Sequence, residues 1–329
     1  MATTNTATKT SNIQPDWKTI LEAHDRIRPR IHHTPVLTSR SIDELAGAQL
    51  FFKCENLQKT GSFKIRGATN AIFSLSEQEA QRGVVTHSSG NHAAAVACAA
   101  GWRGIRASIV MPRNAPKVKC RAVESYGGKI TFCEPNVTAR AETAAQLLAT
   151  TGGVLVHPYD DDRIIAGQST AAKELMEEVT GLDAVLSPVS GGGLLSGTCL
   201  AAKGTSADVR VFGCEPQQAD DAYRSLTSGT LQSLESSDTI VDGLRASLAP
   251  RTFAILRQCV DGILLVSEGE ILATMQLVWE RMKMVIEPSS AVALAPLLRK
   301  SGLAEMGFAE GSNPRLGIIL SGGNVELKW

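Results

Sequence analysis

The chain has 329 residues, 43% of them hydrophobic, with 33 basic and 33 acidic side chains and a formal net charge of zero. That balance gives no electrostatic draw toward nucleic acid or a membrane surface, and the length allows two medium lobes, so chemistry on small molecules is expected. The seven cysteines (Cys54, Cys98, Cys120, Cys133, Cys199, Cys214 and Cys259) are odd in number, scattered and without a C-x-x-C pair. This predicts buried thiols in a reducing compartment, with no disulfide and no zinc.

In chain order, the first fifteen residues are rich in threonine and carry a single basic side chain, Lys9. They lack the apolar core of a signal peptide and the length of a membrane span, so a cytosolic tail is expected in preference to a transit peptide. A strand is expected at 50–54 and a helix at 68–75. Strand and helix then alternate: 83–86 before a helix at 91–100, 107–111 before a helix at 115–126, and further strands at 129–132, 154–156, 184–186, 209–212 and 316–320. The alternation is βαβ and predicts an α/β fold with parallel sheet and covering helices. No repeat of fixed period is visible.

Two motifs carry chemistry. The run Gly61-Ser62-Phe63-Lys64-Ile65-Arg66-Gly67 sets one lysine at a strand-to-helix corner, where desolvation would lower its pKa and make it a carbonyl nucleophile. The plainer reading is a solvated loop lysine. Far along the chain, Ser190-Gly191-Gly192-Gly193-Leu194-Leu195-Ser196-Gly197 comes after a strand-like run and opens a helix-compatible stretch at 198–203. Its backbone N–H groups and the helix dipole suit a phosphate. It has no Gly-Lys-Ser/Thr ending and its contiguous glycines do not match the spaced dinucleotide fingerprint. A tight turn is the alternative. A lysine nucleophile together with a phosphate cup suggests pyridoxal 5′-phosphate.

These runs, with His87-Ser88-Ser89-Gly90-Asn91-His92, Glu287-Pro288-Ser289-Ser290 and Ser321-Gly322-Gly323-Asn324-Val325, resemble in order the fold-type II pyridoxal-phosphate enzymes. Within them the chain is most similar to the serine racemases, with serine/threonine dehydratases and 3-hydroxyaspartate dehydratases as near relatives. The resemblance spans about residue 20 to residue 327. It implies a tryptophan synthase β-like fold, two parallel-sheet lobes with the cofactor in the cleft between them: a large cofactor-binding domain of residues 1–84 and 162–329, and a small mobile domain of residues 85–161.

The resemblance also implies roles. Lys64 would carry the cofactor and then act as base on one face of the substrate, with Ser89 as acid on the other; a helix-capping serine is the plainer reading of Ser89. Phe63, Asn91, Ser190, Gly191, Gly192, Gly193, Leu194, Gly243, Glu287 and Ser321 would bind the cofactor, Ser321 facing the pyridine nitrogen. Ser88, Ser89, Gly90, Asn91, His92 and Arg140 would meet the substrate. Arg140 could neutralise a second carboxylate, favouring 3-hydroxyaspartate, or be a surface arginine. Glu215, Ala219 and Asp221 match a site for Mg²⁺ or Ca²⁺, oxygen donors suited to a hard cation. Lys59, Thr60, Lys283 and Asn324 match an ATP effector site, although Arg40 and Ser41 replace residues usual there.

The functional expectation is a cytoplasmic, homodimeric pyridoxal-phosphate enzyme that racemises serine and also eliminates its hydroxyl to give pyruvate and ammonia. L-threo-3-hydroxyaspartate ammonia-lyase and threonine dehydratase are the enzyme alternatives. An amino-acid or cofactor binding protein is the alternative outside catalysis. No regulatory domain is expected after Ser321.

Overall fold

The computed structural model describes residues 14–234 and 238–326, so most of the threonine-rich N-terminal tail lies outside the described residues. Their strands form two sheets. In chain order they are β1 (Val36–Leu37), β2 (Gln49–Cys54), β3 (Val84–His87), β4 (Ala107–Pro112), β5 (Lys129–Cys133), β6 (Val154–Leu155), β7 (Ala184–Pro188), β8 (Arg210–Pro216), β9 (Gly262–Val266) and β10 (Arg315–Leu320).

The larger sheet has the order β1-β2-β10-β7-β8-β9, and the smaller β5-β4-β3-β6. Apart from the antiparallel β1 edge, every pairing is parallel. The central strands of the larger sheet are largely apolar on both faces, as parallel strands covered by helices must be; β7 and β10 bury Val185, Leu186, Ile318, Ile319 and Leu320 completely. The smaller sheet is built within residues 84–155, whereas the larger draws on 36–54 and 184–320.

Five helices position the cleft and its supports: α1 (Lys64–Phe73), α2 (Asn91–Arg103), α3 (Asp162–Glu178), α4 (Gly193–Thr205) and α5 (Asp221–Ser228). Helix α2 is alanine-rich and almost wholly buried, from His92 to Ala100. Small side chains let it lie close to α1 and its own sheet without loss of helix propensity. Helices α1 and α3 approach still more closely. A Cβ added at Gly167 would stand 2.6 Å from the Gly67 Cα, so the two backbones touch.

Beneath that contact lies a buried ionic cluster. The Arg66 guanidinium donates to both carboxylate oxygens of Glu55 at 2.7 and 2.8 Å and to both of Glu174 at 2.8 and 2.7 Å. Lys53 Nζ lies 2.8 Å from Glu174 and donates to the Thr34 carbonyl at 2.7 Å. Arg66, Lys53 and Glu55 are fully buried. Burial opposes charge on Arg66, but Glu55 and Glu174 outweigh it and raise its pKa. On Glu174 burial pushes upward, yet Arg66 and Lys53 bring the carboxyl down to about 2.

The predicted elements are found with shifted ends. Helix α1 begins at Lys64 and α4 at Gly193, each several residues earlier than the sequence pattern suggests. Both starts are masked by glycines of low helix propensity, Gly67 in α1 and Gly193 and Gly197 in α4. Strands β1 and β9 are additions to the sequence-based pattern, though Gly262-Ile263-Leu264-Leu265-Val266 is an apolar run of strand length.

Replacing Arg66 with alanine would strand two buried carboxylates against Lys53 alone. The expected loss is about 3–5 kcal/mol of stability, read by urea unfolding, with Arg66→Lys losing less because it keeps the charge but not the two-sided fork.

Candidate active site

Strand β10 lies between β2 and β7 and parallel to both, so three carboxyl ends emerge side by side: Leu320 is level with Cys54, and Ile318 with Leu186. The crevice beyond such ends is where open parallel sheets hold ligands. From β2 the chain runs through two short helical turns to Lys64; from β7 it enters the glycine loop; from β10 it passes into Ser321. Across the cleft, β3 leads into Ser88 to Asn91 and β6 into the segment 156–159.

The Lys64 corner is fastened to the end of β10. Phe63 N donates to the Ser321 carbonyl at 3.0 Å, Gly323 N donates to the Gly61 carbonyl at 2.9 Å, and Ser62 pairs with Gly322. Lys64 is half-buried, and its amine donates to the Pro158 carbonyl at 3.1 Å. Desolvation lowers its pKa to about 8, with Glu287 pulling the other way. More of the amine is therefore unprotonated near neutrality than for an exposed lysine, the form a carbonyl nucleophile needs.

Glu287 is buried, and burial pushes its carboxyl up to about 7 against the opposing hydrogen bonds from Asn91. Asn91 Nδ2 donates to both of its oxygens at 3.0 Å, and Asn91 Oδ1 accepts from Asn324 Nδ2 at 2.9 Å. The contact joins α2 on one sheet to the β10 side of the cleft. Ser321 is buried, its Oγ 3.3 Å from Ser290 Oγ.

The Ser88 loop is not a serine cap. The cap of α2 is Gly90, and no side chain fills that place. Ser88 Oγ accepts from Gly90 N at 3.3 Å. His92 turns its ring away from the loop into the core, where Nε2 meets the Val156 carbonyl at 3.1 Å. Arg140, in the helix Val137–Thr151, has a buried Nε with no hydrogen-bond partner; burial, and then the Arg140 charge, lower the pKa of His87.

Gly192 caps α4 in the left-handed region, φ 83°, again without a side-chain cap, so the first N–H groups of that helix are left for a ligand. The glycines are required from behind: a Cβ on Gly191 would meet the Tyr159 ring at 2.3 Å, and one on Gly193 would meet Tyr159 Cβ at 2.9 Å. Sequence reasoning assigns Tyr159 no role, and its signal is only the absence of side chains opposite. Ser190 Oγ accepts from Ala246 N at 3.2 Å, fixing the loop's entry. Gly243 lies against Ser289, whose buried Oγ has no partner. An uncapped helix N-terminus, an amine with a lowered pKa and a hydroxyl at a strand end fit the phosphate, aldehyde and ring nitrogen of pyridoxal phosphate.

Glu215 and Asp221 lie together at the end of β8 and the start of α5. Glu215 accepts from Ala222 N and Tyr223 N at 3.2 and 3.0 Å, and Asp221 from Leu248 N at 2.8 Å. Burial and then its neighbour Asp221 raise Glu215 well above the usual carboxylate range, and burial lifts Asp221 to about 6. Ala219 is buried between them in sequence. Among the described residues no group of three or more His, Cys, Asp or Glu side chains converges on one point.

Of the four residues matched to an effector site, Thr60 and Asn324 touch, Asn324 Nδ2 donating to the Thr60 carbonyl at 2.8 Å. Lys59 is engaged elsewhere, donating to the Arg30 carbonyl at 2.6 Å and lying over Trp102. Lys283 donates locally to Glu280.

Comparison with known proteins agrees with this architecture. A family model described as pyridoxal-phosphate dependent enzyme matches residues 27–308. The chain is 51% identical over 313 residues to a serine racemase of Dictyostelium discoideum, covering 94% of this chain and 95% of that one. It is 49% identical over 313 residues to a beta-hydroxyaspartate dehydratase of Paracoccus denitrificans, covering 95% and 97%. The solved structure of maize serine racemase superposes with a TM-score of 0.92 at 44% identity, covering 96% and 95% of the two chains. The chain belongs to the family of pyridoxal-phosphate dependent enzymes, fold type II.

Proposed function

We propose that this enzyme racemises serine and, as a second exit, eliminates its β-hydroxyl to give pyruvate and ammonia. The observation that carries the reading is the desolvated Lys64 amine at the adjoining ends of β2, β10 and β7. In this reading the N–H groups of Gly191 to Leu194 hold the phosphate, Ser321 the ring nitrogen, and Asn91 the ring hydroxyl, with Phe63, Gly243 and Glu287 around it. Bound there, pyridoxal phosphate withdraws electrons from the α-carbon of an amino acid and acidifies its hydrogen.

The chain's own groups then decide the outcome. The loop Ser88 to His92 holds the α-carboxylate through backbone N–H groups and hydroxyls, His92 contributing only its N–H because its ring is committed to Val156. Lys64 takes the α-proton on one face. Ser89, whose hydroxyl is not spent as a cap, returns one on the other. If the β-hydroxyl leaves first, elimination wins. The domain of residues 85–161 is the part that moves over the site, against 1–84 and 162–329.

A second substrate is favoured by one observation, the buried, unpartnered Nε of Arg140. A guanidinium with free donors near the carboxylate loop suits the second carboxylate of 3-hydroxyaspartate, and the Paracoccus denitrificans relative is named for that substrate. Mg²⁺ or Ca²⁺ at Glu215, Ala219 and Asp221 completes the reading: a dication would let two facing buried carboxyls stay ionised. The homodimer and the cytoplasmic setting belong to it as well. An ATP effector would enter through Thr60 and Asn324.

Borohydride reduction followed by peptide mapping should find the cofactor on Lys64, and Lys64→Ala should abolish both exits. Ser89→Ala should remove D-serine formation while L-serine still gives pyruvate; D-serine produced at the normal rate would refute the two-face assignment. Arg140→Met should cut kcat/KM for L-threo-3-hydroxyaspartate about a hundredfold more than for serine, the cost of an unpaired charge. Equal losses would remove the dicarboxylate reading. Chelation should lower the thermal midpoint in the parent and not in Glu215→Gln.

A further inference from the structure

The imidazole of His92 is fully enclosed at the head of α2 and shows only one of its two nitrogens in use. A carbonyl oxygen has no proton to give, so at the 3.1 Å contact with Val156 it is Nε2 that carries hydrogen and donates. The tautomer is thereby fixed. Nδ1 is left with a lone pair, buried and without a hydrogen-bond partner. An orphaned acceptor in the interior is costly and calls for a donor.

The candidate on the same segment is Lys64. Its amine donates to the Pro158 carbonyl, two residues beyond the carbonyl that His92 engages, so the lysine and the imidazole line the same short segment leaving β6. After burial, the Lys64 charge is the largest influence on the His92 ring, which is held neutral with a pKa of about 3. The other titratable groups facing the amine are Glu287, ahead of the helix Pro288–Ala291, and His157. His157 cannot serve as an acceptor: its Nδ1 already receives Asp160 N at 2.8 Å and Tyr159 N at 3.3 Å.

We propose that Nδ1 of His92 is the hydrogen-bond acceptor for the Lys64 amine when the amine swings off the Pro158 carbonyl, a positioning residue that receives the lysine's N–H in its free, protonated form. Because His92 stays neutral, it orients the ammonium without competing for its proton. Glu287 supplies the charge; His92 supplies the direction. An acceptor for the ammonium favours the protonated form, so it works with Glu287 and against desolvation in setting where the lysine titrates.

This inference rests on Lys64 being the reacting amine, and the test separates the two. Full-length protein freed of cofactor is trace-labelled with acetic anhydride across pH, and acetylation at Lys64 is read by mass spectrometry. In His92→Gln the amide sits where Nε2 was, keeping the bond to Val156 but offering nothing at the Nδ1 position. Its Lys64 titration should move down by about one pH unit, as loss of a hydrogen bond to a charged group implies. In His92→Asn the side-chain oxygen takes the Nδ1 position, and the titration should stay within a few tenths of a unit of the parent.

The acid limb of kcat in the cofactor-loaded variants, which reads the substrate complex where Lys64 is released, should shift in the same order. A purely structural role for the ring predicts the reverse ranking, glutamine harmless and asparagine harmful, and would overturn the proposal. So would identical Lys64 titrations in all three proteins. If borohydride instead maps the cofactor to another lysine, the assignment of Lys64 fails and not the hydrogen bond.

Discussion

The Arg66 cluster is what the rest of the molecule leans on. One guanidinium grips Glu55 at the end of β2 and Glu174 in α3, while its own backbone belongs to α1, two residues beyond Lys64. Strand, reactive corner and packing helix are thus held by a single fully desolvated group. Such a cluster is not a strong source of net stability, because the cost of taking four charges out of water nearly offsets their attraction. Its effect is on uniqueness. An apolar side chain at position 66 could slide against α3 by a fraction of a turn, whereas a two-sided fork fits one arrangement. The exactness with which the lysine amine reaches the Pro158 carbonyl inherits that restraint.

Electrostatic poise in the cleft is produced chiefly by withholding water. Lys64, His92, His157 and Glu287 are all displaced toward their neutral forms, and burial is the leading cause for each. The amine and the carboxyl, moved in opposite directions on the pH scale, come to lie about one unit apart, near 8 and 7. Both groups thus titrate nearer neutrality than they would in water. The histidines serve the opposite end, as fixed neutral dipoles.

Much of this is legible in the residues. Parallel strands show as apolar runs without alternation, because both faces are covered; the glycine loop and Lys64 each have a plainer reading alone, a tight turn and a loop lysine, and stand out only in combination. Family resemblance, and not periodicity, suggests the division of the chain into lobes. What stays hidden is whatever depends on a partner distant in sequence. Arg66 reads as a surface charge until Glu55 and Glu174 close on it. Tyr159 has no pattern of its own, only glycines opposite that could accept nothing else. His92 reads as an ordinary polar residue at the head of a helix, and its locked tautomer is a fact about the Val156 carbonyl.

The position of β10 has a consequence for how the molecule comes into being. The smaller sheet closes on itself within residues 84–155, but the larger one has a gap between β2 and β7 until the segment Arg315–Leu320 arrives to fill it. On a ribosome, the first lobe can collapse while the second waits, its two halves exposing unpaired apolar edges across more than half the chain. Parallel pairings of such long sequence separation are slow to form and open to misassociation meanwhile. The nascent chain therefore carries β2 without its parallel partner until residues 315–320 are made, and β7, which follows only after residue 184, waits for the same segment.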